Sequence, residues 1–180
     1  MLSVAFLCFG LAIGAVLAHI VLHAIGLGVS TTSAGAILAV TGGLSTVGRI
    51  VMGSAGDRIG HKNALIICFG LMSAALFWLQ FAKKLWMLYL FAVIFGFGYG
   101  GIAPLQSPLI AELFGLNSHG VILGVTEFGV ALGETIGPVA AGHIFDITGS
   151  YNLAFLASGV IGLLGAILIS RLKTARTTTL

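Results

Sequence analysis

Five ionisable residues stand inside long apolar stretches of this sequence, where a charged group is costly and usually has a task. Arg49 carries a guanidinium, which binds a carboxylate through two parallel hydrogen bonds. Glu127 could pair with such a cation or accept a proton, and Glu134 follows it by seven residues near the same helical face. We predict that Arg49 and Glu127 contact a substrate. Arg49 could instead snorkel to an interface or form a structural pair with Glu127.

The other two residues are histidines. His19 and His23 are four residues apart, so on a helix they share one face, and this pair could titrate near neutral pH or bind a metal. The sequence offers no evident third ligand, so we predict no metal site and place both imidazoles in the substrate-binding set or at an interface. His143 and Asp146 fall near the end of another apolar stretch and are predicted to be interfacial.

A charged stretch from Gly53 to Lys62, G-S-A-G-D-R-I-G-H-K, separates the second apolar run from the third. A turn that only joins two helices would not need this set of ionisable and glycine residues, so the stretch predicts a specific role. The Asp57 carboxylate can cap the positive end of a neighbouring helix, and Arg58 can bridge to carbonyls or acids. The alternative is a tight basic turn that only fixes topology. Residues 53–62 are called the signature stretch below.

Composition limits what can position these groups. Hydrophobic residues make up 58% of the chain, charged residues 7%, and the mean hydropathy is +1.15. Soluble domains carry about 25% charged residues, so the lipid bilayer must be the solvent and partner of this chain. The net charge of +3 is too small to indicate a nucleic-acid partner. Cys8 and Cys68 sit in apolar runs and are interpreted as small buried residues.

The apolar runs predict an all-α membrane protein with a single domain of six transmembrane helices. Each run approaches or exceeds the roughly 20 residues that cross a bilayer, and none alternates as a strand would. The chain starts directly in a span, without the features of a cleavable signal peptide. The predicted spans are 3–25, 33–55, 64–81, 86–109, 120–145 and 152–171.

Basic residues predict the orientation. An even number of spans places both termini on one side, and five basic residues share that side: Arg58, Lys62, Arg171, Lys173 and Arg176. The other side has only Lys83 and Lys84, bracketed by an interfacial aromatic belt of Trp78, Phe81, Trp86 and Tyr89. The excess of positive charge predicts that both termini are cytoplasmic.

Glycine spacing predicts close helix packing. Small residues on one face let two helix backbones approach, and such a face follows from Gly129, Gly133, Gly137, Pro138 and Gly142. Pro138 also frees a backbone carbonyl and permits a bend. The fourth span is expected to be irregular, either to line a cavity or to pack on protein, because it holds Gly96, Gly98, Gly100, Gly101 and Pro104.

The pattern G-x-x-x-D-R-x-G-x-K resembles the signature loop of the major facilitator superfamily of secondary transporters. The match lies at Gly53, Asp57, Arg58, Gly60 and Lys62, whereas His61 stands where that family usually has Arg or another residue. Three further stretches, 18–24, 48–53 and 142–151, look like the C-terminal half of the bacterial branch related to the monocarboxylate transporters and the oxalate:formate antiporter.

The resemblance implies one six-helix half of a twelve-helix fold, whose partner would be an N-terminal half enclosing a central site. Three alternatives remain open: the sequence is a fragment, a split gene product, or a half that pairs with another chain. It implies transport of a small organic anion such as a monocarboxylate, with or without a proton, across a bacterial inner membrane, and no cofactor. The five matched signature residues would act as a conformational latch, and Arg49 matches the place of an anion-binding Arg. Two departures place oxalate and lactate in doubt. Glu127 stands where the oxalate antiporter has Lys, and Ser45 where monocarboxylate transporters have Asp.

Rival classes are weaker. An intramembrane protease would need a G-x-S-G or H-E-x-x-H motif, and neither occurs. A channel would need a filter or a charged ring, and none is visible. The remaining alternative to a transporter is a membrane interaction module that packs against other helices without transporting a solute.

Overall fold

The structure, a computed structural model, describes residues 1–172, which form six α-helices and contain no strand. The helices are α1 Leu2–Gly26, α2 Thr31–Ile59, α3 His61–Leu79, α4 Leu85–Phe114, α5 His119–Thr148 and α6 Asn152–Ser170. All six are long and apolar enough to span a membrane. The predicted all-α class is therefore confirmed. Lys173 and Arg176, which entered the charge argument, lie outside the described residues.

The turn between α2 and α3 is much shorter than the predicted spans left it. α2 continues to Ile59 and α3 begins at His61, so Asp57 and Arg58 are helical. Gly60 is the single non-helical residue between the two helices. Gly60 has φ +88°, a conformation that residues with a side chain rarely adopt. Hydropathy marks where the apolar surface ends. The helix itself continues because nothing before Gly60 interrupts its hydrogen bonds.

α4 is one uninterrupted helix, although Pro104 and Pro108 lie inside it and the sequence led us to expect irregularity. A proline removes one backbone donor and leaves the carbonyl four residues earlier without its helical partner. The expected disturbance of α4 is therefore a local loss of hydrogen bonds and does not end the helix.

The helices pair in a symmetric pattern. α1 packs chiefly against α5, and α2 packs chiefly against α4. α3 contacts α4 and α6, while α6 also contacts α1. Exchanging helices 1–3 with helices 4–6 maps this pattern onto itself, as expected for a six-helix half built from two three-helix repeats.

Backbone-to-backbone contact joins α1 to α5. A Cβ atom on Gly133 would lie 2.5 Å from the Leu11 nitrogen, and one on Gly137 would collide with the Leu11 carbonyl. The rest of this α5 face meets α1 as well, through Gly129 against Ser3, Pro138 against Gly14 and Gly142 against His19. In lipid, van der Waals packing of this kind replaces the hydrophobic effect as the force between helices.

The α2–α4 pair uses the same device. Side chains on Gly96 or Gly100 of α4 would strike the α2 backbone at Thr41 and Ser45, and one on Gly48 of α2 would strike Phe97. Buried phenylalanines fill the centre of the bundle: Phe6, Phe69, Phe91, Phe95 and Phe155. In α2 and α5 only 28% of the residues in an apolar 18-residue stretch are buried, against 44–50% in the other four helices. These two helices therefore present the broadest exposed faces.

Candidate functional site

The bundle has two ends, which the chain direction and three contacts identify. The Gly60 end contains Met1, Gly60, the α4–α5 connection and Leu172, and there Lys62 Nζ donates a hydrogen bond to the Leu172 carbonyl oxygen at 2.6 Å. The Lys83 end contains residues 27–30, 80–84 and 149–151. There the Tyr89 hydroxyl lies 3.4 Å from the Ser33 carbonyl oxygen, and the Trp78 indole donates to the Met87 carbonyl at 3.2 Å.

At the Gly60 end, the imidazole of His61 lies between two carboxylates. Its Nδ1 is 2.6 Å from Oε1 of Glu112 on α4, and its Nε2 is 3.5 Å from Oδ1 of Asp57 on α2. The side chain of His61 is only 16% exposed, against 41% for Glu112 and 78% for Asp57. One imidazole at the start of α3 thus connects the ends of three helices.

A missing side chain on α2 makes room for this ring. A Cβ atom on Gly56 would lie 2.9 Å from Cδ2 of His61 and 2.5 Å from a methyl carbon of Leu105. A Cβ atom on Gly53, one turn earlier, would lie 3.7 Å from Cβ of Pro104, which is an ordinary packing distance. The side chain of Asn63 caps α2 by donating to the Ile59 carbonyl at 2.9 Å. The signature stretch is therefore a tight junction of α2, α3 and α4.

Arg49 and Glu127 are both exposed on the bundle surface, and they belong to different helices. Arg49 belongs to α2, which packs on α4, and Glu127 belongs to α5, which packs on α1. Within residues 1–172 neither forms an ion pair, since the pairs present all involve His61. Glu134 is also exposed. The structure thus does not join Arg49 to Glu127.

His19 and His23 lie near the Lys83 end, on the side of α1 that meets α5 and α6. His19 Nε2 is 3.0 Å from the Pro138 carbonyl oxygen, and its ring stacks on Tyr151 with centroids 4.8 Å apart. His23 is 8% exposed and meets the Phe155 ring edge-on at 5.2 Å. Both imidazoles take part in helix packing.

A cavity of about 140 Å³ adjoins His23 and is lined also by Phe145, Ser150, Tyr151 and Asn152. Burial of the phenol and the nearby Asp146 carboxylate both raise the pKa of Tyr151, so this hydroxyl stays neutral. Among the described residues no three His, Cys, Asp or Glu side chains converge as metal ligands. The four residues predicted to bind substrate therefore lie on three helices. Arg49 is on α2, Glu127 is on α5, and the two histidines are near the Lys83 end of α1.

Comparison with known proteins identifies the family. Residues 2–179 match the model of the Major Facilitator Superfamily. This chain belongs to the major facilitator superfamily. The resemblance predicted from the signature stretch is thereby confirmed at the level of the superfamily, and the six apolar helices of this major facilitator chain make it an integral membrane protein.

The curated relatives of this major facilitator chain include monocarboxylate transporters. It is 31% identical over 179 residues to monocarboxylate transporter 12 of Rattus norvegicus, covering 97% of this chain and 36% of that protein. Monocarboxylate transporter 12 of Homo sapiens is 29% identical over 93% of this chain and 33% of its own length. The chain spans about a third of the length of these curated relatives.

Solved structures show the same fold. A proton-dependent oligopeptide transporter superposes with a TM-score of 0.82 at 18% identity, covering 97% of this chain and 41% of that one. The xylose transporter XylE from E. coli, in an inward-open conformation, gives 0.79 at 17% identity, covering 97% and 47%. The major facilitator chain described here is one six-helix half of that fold.

Sequence reasoning missed several polar residues of this major facilitator chain. Glu112, the partner of His61, was not singled out although it is one of only five acidic residues. At the same end, the Gln106 amide donates to the Thr126 hydroxyl at 2.9 Å, and His119 Nε2 lies 3.1 Å from the Ser107 carbonyl oxygen. These contacts join α4 to α5. The signal that could have found these residues is a polar side chain within or beside an otherwise apolar run of sequence.

Proposed function

We propose that this chain is the C-terminal six-helix half of a secondary transporter that moves a small organic anion. Membership of the major facilitator superfamily supports transport, and the names of the curated relatives support a monocarboxylate. Coverage of 36% or less of those relatives supports a partner, an N-terminal half that would complete the twelve-helix fold. Family and relatives point to a transporter and not to an enzyme.

The observation that carries this proposal is the position of Arg49. Ten residues separate it from the end of α2, which places its Cα about 15 Å from that end at the rise of an α-helix. It is exposed, and it forms no ion pair within residues 1–172. A guanidinium at such depth would need an anion or a carboxylate of the second half, because an unpaired charge in the membrane is costly.

The remaining predicted residues take secondary roles in the proposal. Glu127, exposed on α5 about 12 Å from the same end, would accept a proton or, in another conformation of the complete transporter, pair with Arg49. His19 and His23 would act at the outer mouth, through the cavity beside His23. The latch is proposed to comprise Gly53, Asp57, Arg58, Gly60 and Lys62.

The finer assignments are proposals too. We propose that both termini are cytoplasmic, that the membrane is a bacterial inner membrane, and that the chain is related to the bacterial oxalate:formate branch. The charge excess at the Gly60 end supports the orientation. The three stretches 18–24, 48–53 and 142–151 support the branch.

The test is anion binding by the complete transporter carrying Arg49→Lys. Lysine keeps the charge but loses the planar fork, so a carboxylate clamp should lose on the order of 1.5–3 kcal/mol, or roughly ten- to a hundredfold in affinity. The matched control is Arg171→Lys, at an exposed arginine just after α6 to which no role in binding or latching is assigned. Binding is measured over a panel of mono- and dicarboxylates. Wild-type affinity for every anion in Arg49→Lys would remove Arg49 from the site.

A second candidate is a membrane interaction module. It is favoured by the exposed apolar residues on α2 and α5, such as Ile50, Val121, Phe128 and Val139. The chain is reconstituted in vesicles alone and together with a matching six-helix half. Anion uptake only with both halves supports the transporter. Stable assembly with the other half but no uptake of any anion supports the module.

A further inference from the structure

We propose that His61, Asp57 and Glu112 form a proton-binding site that latches the Gly60 end of the bundle. The proposal concerns the response of the fold to the pH at the Gly60 end, and it does not depend on which solute is carried. It rests on the two contacts of one imidazole and on the helices that those contacts connect.

An imidazole ring between two carboxylates responds to protonation because its two nitrogens change between donor and acceptor. A neutral imidazole has one N–H donor and one lone pair. If Nδ1 donates to Glu112 at 2.6 Å, the lone pair of Nε2 faces the Asp57 carboxylate at 3.5 Å. Only the doubly protonated ring offers a donor to each side. Binding of one proton therefore turns an unfavourable contact into a second favourable one.

The other charged or titratable side chains that the structure describes at this end face elsewhere. Lys62 on α3 is bound to the Leu172 carbonyl, and His119 on α5 lies against Ser107. Arg58 lines an exposed face of α2 with Ile50 and Ser54, and Arg171 is exposed after α6. Among the described residues, the carboxylates that meet His61 are those of Asp57 and Glu112.

The His61–Glu112 contact acts on the end of α4, beyond two prolines. Gly96 and Gly100 hold the middle of α4 against α2. Pro104 and Pro108 then remove two helical hydrogen bonds before Glu112. The last turns of α4 follow these two missing hydrogen bonds, and the His61–Glu112 contact closes them onto α3. Loss of the proton would release this segment.

An arginine in place of His61 would fill the same role as a fixed cation. The family usually has arginine or another residue here, whereas histidine titrates between about pH 5 and 8. The sign follows directly. The latch is complete when the ring carries its second proton, and it weakens as the pH rises and the imidazolium is lost.

The experiment measures hydrogen-exchange protection of residues 57–62 and 108–114 in the full chain in nanodiscs, at pH 6 and pH 8. Values are expressed as protection factors, so that the intrinsic pH dependence of exchange is removed. We expect protection in the wild type to be about three- to tenfold higher at pH 6, the range for a partly exposed charge-assisted contact.

Three variants separate the explanations. His61→Arg should keep high protection at both pH values, and Glu112→Gln should show no pH difference. His143→Gln, an exposed histidine near the Lys83 end, should behave as the wild type. Equal protection of the wild type at both pH values would overturn the proposal, as would an unchanged pH difference in either His61→Arg or Glu112→Gln. Because no substrate is present, this result stands apart from the Arg49 test.

Discussion

A hydrogen bond joins Lys62 to Leu172 between the neighbouring helices α3 and α6. The ammonium of Lys62, at the start of α3, donates to the main-chain carbonyl of Leu172, just after α6, at 2.6 Å. The carbonyl groups at the end of a helix have no partner inside that helix, and a cation there is favourable. The contact fixes the last turn of α6 against the turn that contains Gly60. A residue of the signature stretch thereby stabilises an element 110 positions away in the sequence.

Lys62→Met should therefore lower the stability of the purified chain by about 1 kcal/mol, the net worth of a partly buried hydrogen bond. Thermal unfolding in mild detergent measures it. Lys62→Arg should retain most of the stability, and Lys83→Met, at an exposed position of the opposite end, should have no effect. Equal melting of the Lys62→Met and Lys83→Met variants would show that the contact contributes nothing.

Gly133→Ala should destabilise the chain by about 1–3 kcal/mol, as overpacking does. The added methyl would lie 2.5 Å from a backbone atom of α1, which no rotation of a side chain can relieve. Gly124→Ala is the matched control on the same helix, since nothing lies within 4 Å of its Cβ position. Alanine favours a helix over glycine by about 1 kcal/mol, so the control should be neutral or stabilising. Both are compared by chemical unfolding, and a stable Gly133→Ala would contradict the packing.

Position 83 should react with a membrane-impermeant thiol reagent added outside the cell. The chain is first freed of Cys8 and Cys68, and Lys83→Cys is compared with Asn63→Cys, since both positions are exposed and lie at opposite ends of the bundle. Asn63→Cys should react only after the membrane is opened. The reverse pattern would place the Gly60 end outside and would overturn the proposed orientation.

The sequence predicted the six helices because their apolar runs are long and uninterrupted, so composition alone requires a bilayer. It also pointed to the α5 face that meets α1, since glycines four residues apart leave a flat strip on a helix. Both signals are local. They depend on residues within one helix and need no knowledge of its neighbours.

The sequence did not predict the His61–Glu112 contact, because those residues are 51 positions apart and on different helices. It also treated residues 56–63 as a connecting stretch, since hydropathy cannot distinguish a polar helix end from a loop. The arrangement of His19 against Tyr151 was hidden for the same reason. The turn between α5 and α6, which carries Tyr151, determines whether the His19 imidazole faces a cavity or stacks on a ring. The residues next to His19 in the sequence do not determine this.

The α1–α5 contact has a consequence for synthesis of the chain. Gly10 and Gly133 meet through backbone atoms, yet the ribosome makes one of them long before the other. At the usual 5–20 residues per second, roughly 6–25 seconds separate the two. During that interval α1 has its glycine face turned to lipid or to the insertion machinery, with its permanent neighbour not yet made. α1 therefore cannot make its main contact until the fifth helix has been synthesised. A chain arrested before that point would leave the glycine face of α1 able to pack against other membrane helices.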